Sequence, residues 1–193
     1  MEIMSHRVFV DANVLYSKTT RDWLFHLRIA NEGLFQLHCT EDVFAEAVHH
    51  LRKNHPRWAG ARVSALSASF RTIMDEVLED FPSTIPFTGT DEGDYHVHAA
   101  AVHSRADLLL TNNRTSDFTA ADDESYEVIT PDDFFMLVAS SAPAGARAAL
   151  EGQIDHWKSR SSGVTLDEAL EAAGCPLFAA KVRELLREKA LRG

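Results

Sequence analysis

The chain has 193 residues, 45% of them hydrophobic and 25% charged, which describes a folded protein with a core and excludes a disordered or fibrous chain. Its formal net charge of -10 argues against a surface that gathers nucleic acid by bulk electrostatics, because phosphate contacts come mainly from Lys and Arg. The two cysteines, Cys39 and Cys175, fit no zinc spacing, Met1 to Arg7 is polar rather than a signal peptide, and no stretch approaches the roughly 20 apolar residues of a membrane span, so a cytoplasmic protein with buried thiols is expected.

The short apolar run Val8-Phe9-Val10 reads as a buried strand that ends in a polar turn, Asp11-Ala12-Asn13. Arg21 to Asn31 has helical spacing, with Gly33 beyond its end, and Leu34 to Cys39 reads as a second strand. Thr40 is a natural N-cap for a helix that starts with Glu41 and Asp42 and lines up Val43, Phe44, Ala47, Val48 and Leu51. Trp58 to Phe81 reads as one long helix, and Pro82 and Pro86 bracket a loop. A helix over Gly93 to Arg105 leads into the strand Asp107 to Thr111. Tyr126 to Thr130 is a further strand, and Pro131 opens the next helix. Strands alternating with helices predict an α/β fold with a mostly parallel sheet flanked by helices. Ser140 to Gly145 looks like a linker. Beyond it the pattern is all helical: Ala144 to Trp157, Thr165 to Ala172 and Pro176 to Leu191, punctuated by Ser159 to Gly163 and Gly174. Thr165 and Glu168 have the spacing of a capping box. The expected division is residues 6–140 as one domain and 141–193 as a helical C-terminal extension.

In open parallel sheets, sites form beyond the carboxyl ends of the strands. Asp11 follows the first strand, and Thr111-Asn112-Asn113 and Asp117 follow a later one. Asp94 opens the helix leading into that later strand, and Glu46 lies in the helix after Cys39. Four acids distant in sequence are thus expected on one rim. Converging carboxylates repel, and a hard divalent cation such as Mg²⁺ or Mn²⁺ relieves that repulsion through oxygen ligands and supplies positive charge to a phosphodiester. Each acid also has an ordinary reading alone: Asp11 as a turn residue, Asp91 as a helix cap, Glu46 as an exposed helix acid, and Asp117 as a cap before Phe118.

The motif Phe9-Val10-Asp11-Ala12-Asn13-Val14-Leu15 resembles the opening of PIN-domain nucleases. Asp91-Glu92-Gly93-Asp94-Tyr95-His96-Val97-His98 with its alanines, then Ala106 to Asn113 and Asp117-Phe118, is similar to the family's second half. Glu46 sits where the family keeps a helical glutamate. The resemblance covers roughly residues 6 to 140. It implies metal-dependent cleavage of RNA, with Asp11, Asp94 and Asp117 as catalytic metal ligands and Glu46 as a further catalytic ligand or the group that orients a metal-bound water. Asn13, Thr111, Asn113 and Asp91 are expected around them as hydrogen-bond partners or substrate-positioning groups. Many members have Asp where this chain has Asn113, which implies a weaker second metal site. A branch of the family carries the same Asn with a later Asp-Phe. The chain looks most like the VapC toxins of bacterial toxin–antitoxin pairs, which implies a cognate antitoxin and a homodimer.

His49, His50, His55, His96, His98 and His103 lack a zinc-type spacing and are expected to be structural or solvent-facing. Arg52, Lys53, Arg57, Arg62 and Arg71 form the densest basic stretch. It reads either as a guide for RNA phosphates or as a solvated helical face. Two rivals stand against the nuclease. A phospho-aspartate enzyme wants a second Asp two residues after the first, where Asn13 stands. A PIN fold that has lost catalysis and only binds partners finds its best support in Asn113.

Overall fold

The computed structural model describes residues 5–119, 125–158 and 163–192. Two compact units make up the chain. One combines residues up to Tyr16 with Gly33–Thr130; the other combines Ser17–Glu32 with the chain from Pro131 onward.

The first unit is built on five parallel strands in the order β3-β2-β1-β4-β5. These are β1 (His6–Val10), β2 (Phe35–Thr40), β3 (Glu76–Leu78), β4 (Leu108–Leu110) and β5 (Glu127–Ile129). Val8, Phe9 and Val10 in β1 and Leu109 and Leu110 in β4 have no solvent exposure. Successive side chains of a strand point to opposite faces, so such unbroken apolar runs belong to central strands covered on both sides. The helices of this unit are α1 (Ala12–Tyr16), α3 (Glu41–Asn54), α4 (Gly60–Ile73), α5 (Tyr95–His103) and α6 (Thr115–Phe118). Thr40 caps α3 as expected, its hydroxyl accepting the Val43 N–H. The Phe44 and Phe70 rings, 6.1 Å apart, tie α3 to α4.

The predicted helix over Trp58 to Phe81 is corrected. It is α4 followed by the edge strand β3. The chain becomes extended at Met74, the Asp75 N–H donates to the Leu37 carbonyl, and the Asp75 carboxylate accepts the Leu37 N–H. Ile73, Val77 and Leu78 match a helical stripe and a strand equally well; the free edge of β2 supplies backbone partners that decide for the strand. Two further differences lie near the site. The polar turn after β1 tightens at once into α1, and Asp94 ends a 3₁₀ turn (Glu92–Asp94) that precedes α5 instead of lying within it.

The second unit holds α2 (Lys18–Ala30), α7 (Pro131–Ser141), α8 (Pro143–Lys158), α9 (Leu166–Ala172) and α10 (Pro176–Arg192). Ser140 to Gly145 is no linker: only Ala142 separates α7 from α8. Gly145 is buried where α8 meets the Asn31 side chain, and a Cβ there would collide with that amide. Small residues that read as flexible are small for close helix packing. The compositional break at residue 140 therefore does not coincide with the division between the units. Trp23, Phe135 and Phe178 form this unit's aromatic core. Asp132 accepts the Leu177 and Phe178 N–H groups at the start of α10. The Thr165–Glu168 capping box forms as expected. The expected punctuation at Ser159 to Gly163, up to residue 162, and Met1 to Met4 lie outside the described residues.

Candidate active site

The connectivity of the sheet fixes where a site forms. From β1 the chain moves outward through β2 and β3, then crosses back to β4 and β5 on the other side. The strand order therefore reverses between β1 and β4, and the crevice beyond their carboxyl ends is where such sheets bind ligands. Asp11 leaves β1 there, and its N–H donates to the Leu110 carbonyl of β4 at 3.1 Å. Thr111 leaves β4, and its N–H is taken by Ile129 of β5 at 3.0 Å.

Asp11 is 3% exposed, and both carboxylate oxygens are occupied. One accepts the Ala12 N–H at 2.6 Å. The other accepts the Asn13 amide at 2.7 Å and the Thr111 hydroxyl at 2.6 Å. Asn13 also donates to Thr111 Oγ1 at 2.9 Å and to Asn113 Oδ1 at 3.2 Å, while its own oxygen accepts the Asn112 N–H at 3.0 Å. Asn113 then passes its amide N–H to Asp94 Oδ2 at 2.9 Å. Five of the expected residues, Asp11, Asn13, Thr111, Asn113 and Asp94, thus form one continuous network. Asn113 is its bridge, linking the group around Asp11 to Asp94.

The other three lie around this network. Asp91 caps the 3₁₀ turn by accepting the Gly93 N–H at 2.9 Å. Asp117 caps α6, taking the Arg114 N–H at 2.9 Å and the Thr90 hydroxyl at 3.3 Å. Gly89 allows this approach: a Cβ there would stand 2.7 Å from the Phe118 carbonyl carbon and closer still to the Asp117 oxygen. Glu46 projects from α3 between two imidazoles, His50 Nε2 and His96 Nε2, each 3.6 Å away. His50 stacks on Tyr16 with centroids 4.7 Å apart.

The carboxylates feel one another. Burial pushes the Asp11 carboxyl up to about 6, against its hydrogen bonds and with added repulsion from Asp94 and Glu46. Asp94 is also raised, first by burial and then by Asp91, Asp117 and Glu46, with the Asn113 hydrogen bond opposing. The Tyr16 hydroxyl is raised by partial burial and by the field of Asp11 and Glu46. Among the described residues no Lys or Arg forms an ion pair with Asp11, Asp94 or Asp117. As placed, no three His, Cys, Asp or Glu side chains among the described residues stand close enough to hold a metal ion together. The donor set is nevertheless made of oxygens with uncompensated negative charge, the chemistry a hard divalent cation matches.

Sequence reasoning missed Tyr16, His50 and His96 as neighbours of the acids. The i,i+4 spacing of Glu46 and His50 was a signal for one of them. For His98 the structural expectation stands: it is buried, its Nε2 faces the Pro86 carbonyl at 2.9 Å, and its Nδ1 meets the Tyr126 hydroxyl at 2.7 Å.

Residues 7–115 match the family model of the PIN domain, more than half of the chain. The chain belongs to the PIN-domain family, whose members are typically divalent-metal-dependent nucleases. No curated protein and no solved structure shows a significant similarity to it. No helix among the described residues is long and apolar enough to cross a membrane.

Proposed function

We propose that the chain is an Mg²⁺- or Mn²⁺-dependent endoribonuclease acting in the cytoplasm as the toxin of a toxin–antitoxin pair. The observation that carries the nuclease reading is the hydrogen-bonded chain from Asp11 through Asn13, Thr111 and Asn113 to Asp94 at the switch point of the sheet. Asp11, Asp94, Asp117 and Glu46 are the groups that would hold the ion. When bound, it supplies positive charge to a scissile phosphodiester and makes an attacking water easier to deprotonate. Asn13 and Thr111 fix the rotamer of Asp11, so its oxygens are aimed before any ligand arrives. Asn113 orients Asp94 through its amide without adding charge. Glu46, with His50 and His96 on either side, is an acceptor for a proton released at the rim.

The toxin reading rests on the resemblance and brings a cognate antitoxin and a homodimer as partners. In this reading the nuclease lies within residues 6–140, with its acidic rim in the sheet unit, and the helices from 141 onward are an extension grouped in the second unit with α2 and α7. Purified chain is expected to cleave RNA only with Mg²⁺ or Mn²⁺ and to lose cleavage with Asp11→Asn or Asp94→Asn while its circular dichroism is unchanged. Equal cleavage in EDTA rules this reading out. Induced expression is expected to arrest growth, and unimpaired growth with folded, metal-loaded protein rules out the toxin role.

A second reading has its own support. The Asn113 amide already satisfies Asp94, and one fewer carboxylate stands on the rim. A catalytically silent PIN fold that binds protein or RNA partners would leave RNA intact under every metal tested.

A further inference from the structure

We propose that the surface beyond the end of α3 is a stacking platform for single-stranded RNA, built from His55, Trp58 and Arg62. The ligand class rests on the ribonuclease reading; the platform itself rests on geometry away from the acidic rim. The His55 and Trp58 rings stack with centroids 4.0 Å apart and planes within 2°. The Arg62 guanidinium carbon lies 3.8 Å from the Trp58 ring centre. Two groups so close to one ring take its opposite faces, so imidazole, indole and guanidinium form a three-layer column. His55 and Arg62, the outer layers of the column, are both exposed, and Trp58 between them is half-buried. Flat aromatic rings and Arg planes are the surfaces on which unpaired bases stack.

The column is held still. Arg52 Nη1 donates to the Trp58 carbonyl at 2.6 Å, and the Trp58 N–H donates to the His55 carbonyl at 3.1 Å. Its surroundings are cationic in a chain of net charge -10. Lys53 and Arg57 are exposed and have no acidic partner among the described residues, whereas Arg71, the last member of the same basic stretch, is spent on Glu41. The excess positive charge is thus local to the column and suits a phosphate backbone, not a hydrophobic protein face.

The helix also sets the distance. His55, the residue that follows α3, lies nine positions beyond Glu46, about 14 Å at the rise of a helix. Glu46, His50 and Lys53 share one face of α3 at three- and four-residue spacing. A strand with one base on the column and its backbone beside Lys53 runs along that face toward the acidic rim. The column therefore grips a nucleotide a few positions away from the one at the rim.

The test is fluorescence anisotropy of the full chain in EDTA with a fluorescein-labelled single-stranded RNA of mixed sequence, about ten nucleotides long. Trp58→Ala is expected to bind about tenfold more weakly, the loss typical of one stacked base. Arg62→Lys keeps the charge but not the plane and is expected to weaken binding severalfold. Both variants should leave the salt slope unchanged, whereas Lys53→Ala should lower it by about one phosphate contact. The same RNA annealed to its complement, with its bases unavailable, should bind more weakly. Arg62→Lys is a surface change that cannot be confused with misfolding. Unchanged affinity in both Trp58→Ala and Arg62→Lys overturns the platform, as does a loss seen only as a smaller salt slope. Tighter binding of polyglutamate than of RNA, with the same sensitivity to these variants, overturns it in favour of an acidic protein partner. Metal-dependent cleavage that survives with unchanged RNA affinity sinks the platform alone; RNA affinity lost in Trp58→Ala with no cleavage under any metal sinks the nuclease alone.

Discussion

Asp11→Asn removes a charge that the fold holds at a cost. In the unfolded chain this carboxyl titrates near 3.8; in the folded protein burial lifts it to about 6. The native state therefore binds the proton more tightly, and stability falls as pH rises through that window. A rise of this size corresponds to about 3 kcal/mol, absent below about pH 4 and fully present above about pH 7. The substitution removes that penalty. It turns one acceptor into a donor facing the Asn13 amide and the Thr111 hydroxyl, which costs about 1 kcal/mol. In EDTA near neutral pH, Asp11→Asn is expected to be more stable than the wild type by about 2 kcal/mol. The gap should shrink or reverse at about pH 4. Urea denaturation of both proteins across this range reads the difference, in which the contributions of other groups cancel. Adding Mn²⁺ at about a hundred times its dissociation constant should restore about 2.7 kcal/mol to the wild type and nothing comparable to the variant. A wild type as stable as Asp11→Asn at neutral pH in EDTA, or an Asp11 carboxyl that titrates near 4 by carbon NMR, refutes the reasoning.

Three further outcomes follow from the same contacts. Asn113→Asp sets a carboxylate against Asp94 in place of the 2.9 Å hydrogen bond, so the metal-free protein should lose about 1–3 kcal/mol and regain it with Mn²⁺, as read by thermal melting. Gly89→Ala drives a methyl into the backbone of α6 and should cost about 1–3 kcal/mol while weakening metal binding by calorimetry, because the Asp117 carboxylate moves with its helix. His98→Ala removes a buried ring together with its contacts to the Pro86 carbonyl and the Tyr126 hydroxyl and should cost about 2–5 kcal/mol in urea denaturation, with a loosened 86–91 segment seen as faster amide exchange.

The sequence by itself determined the sheet and its rim. An apolar run such as Val8-Phe9-Val10 has no stable place except a covered central strand, and the polar residues after it must then lie at the strand end. The alternation of strands and helices made the sheet parallel, which put Asp11 and Thr111 on one edge. Thr40 and Thr165 declared their helix starts because capping is local.

Tertiary structure decided what local pattern leaves degenerate. Val77 and Leu78 fit a helix or a strand, and only the open edge of β2 chose. Gly145 resembles a linker residue, and only the approach of Asn31 shows it to be a packing residue. The acids told their types but not their partners: that Asn113 bridges to Asp94, while Glu46 lies between His50 and His96, depends on three separate segments meeting. The column of His55, Trp58 and Arg62 has the three- and four-residue spacing of a helical face, yet α3 ends at Asn54 and α4 starts at Gly60, and only the turn between them stacks the rings. Periodicity reports which face of an element is buried; it cannot report which side chains from different elements meet there, and it is burial at that meeting point, with Asp94 and Glu46 nearby, that raises the Asp11 carboxyl.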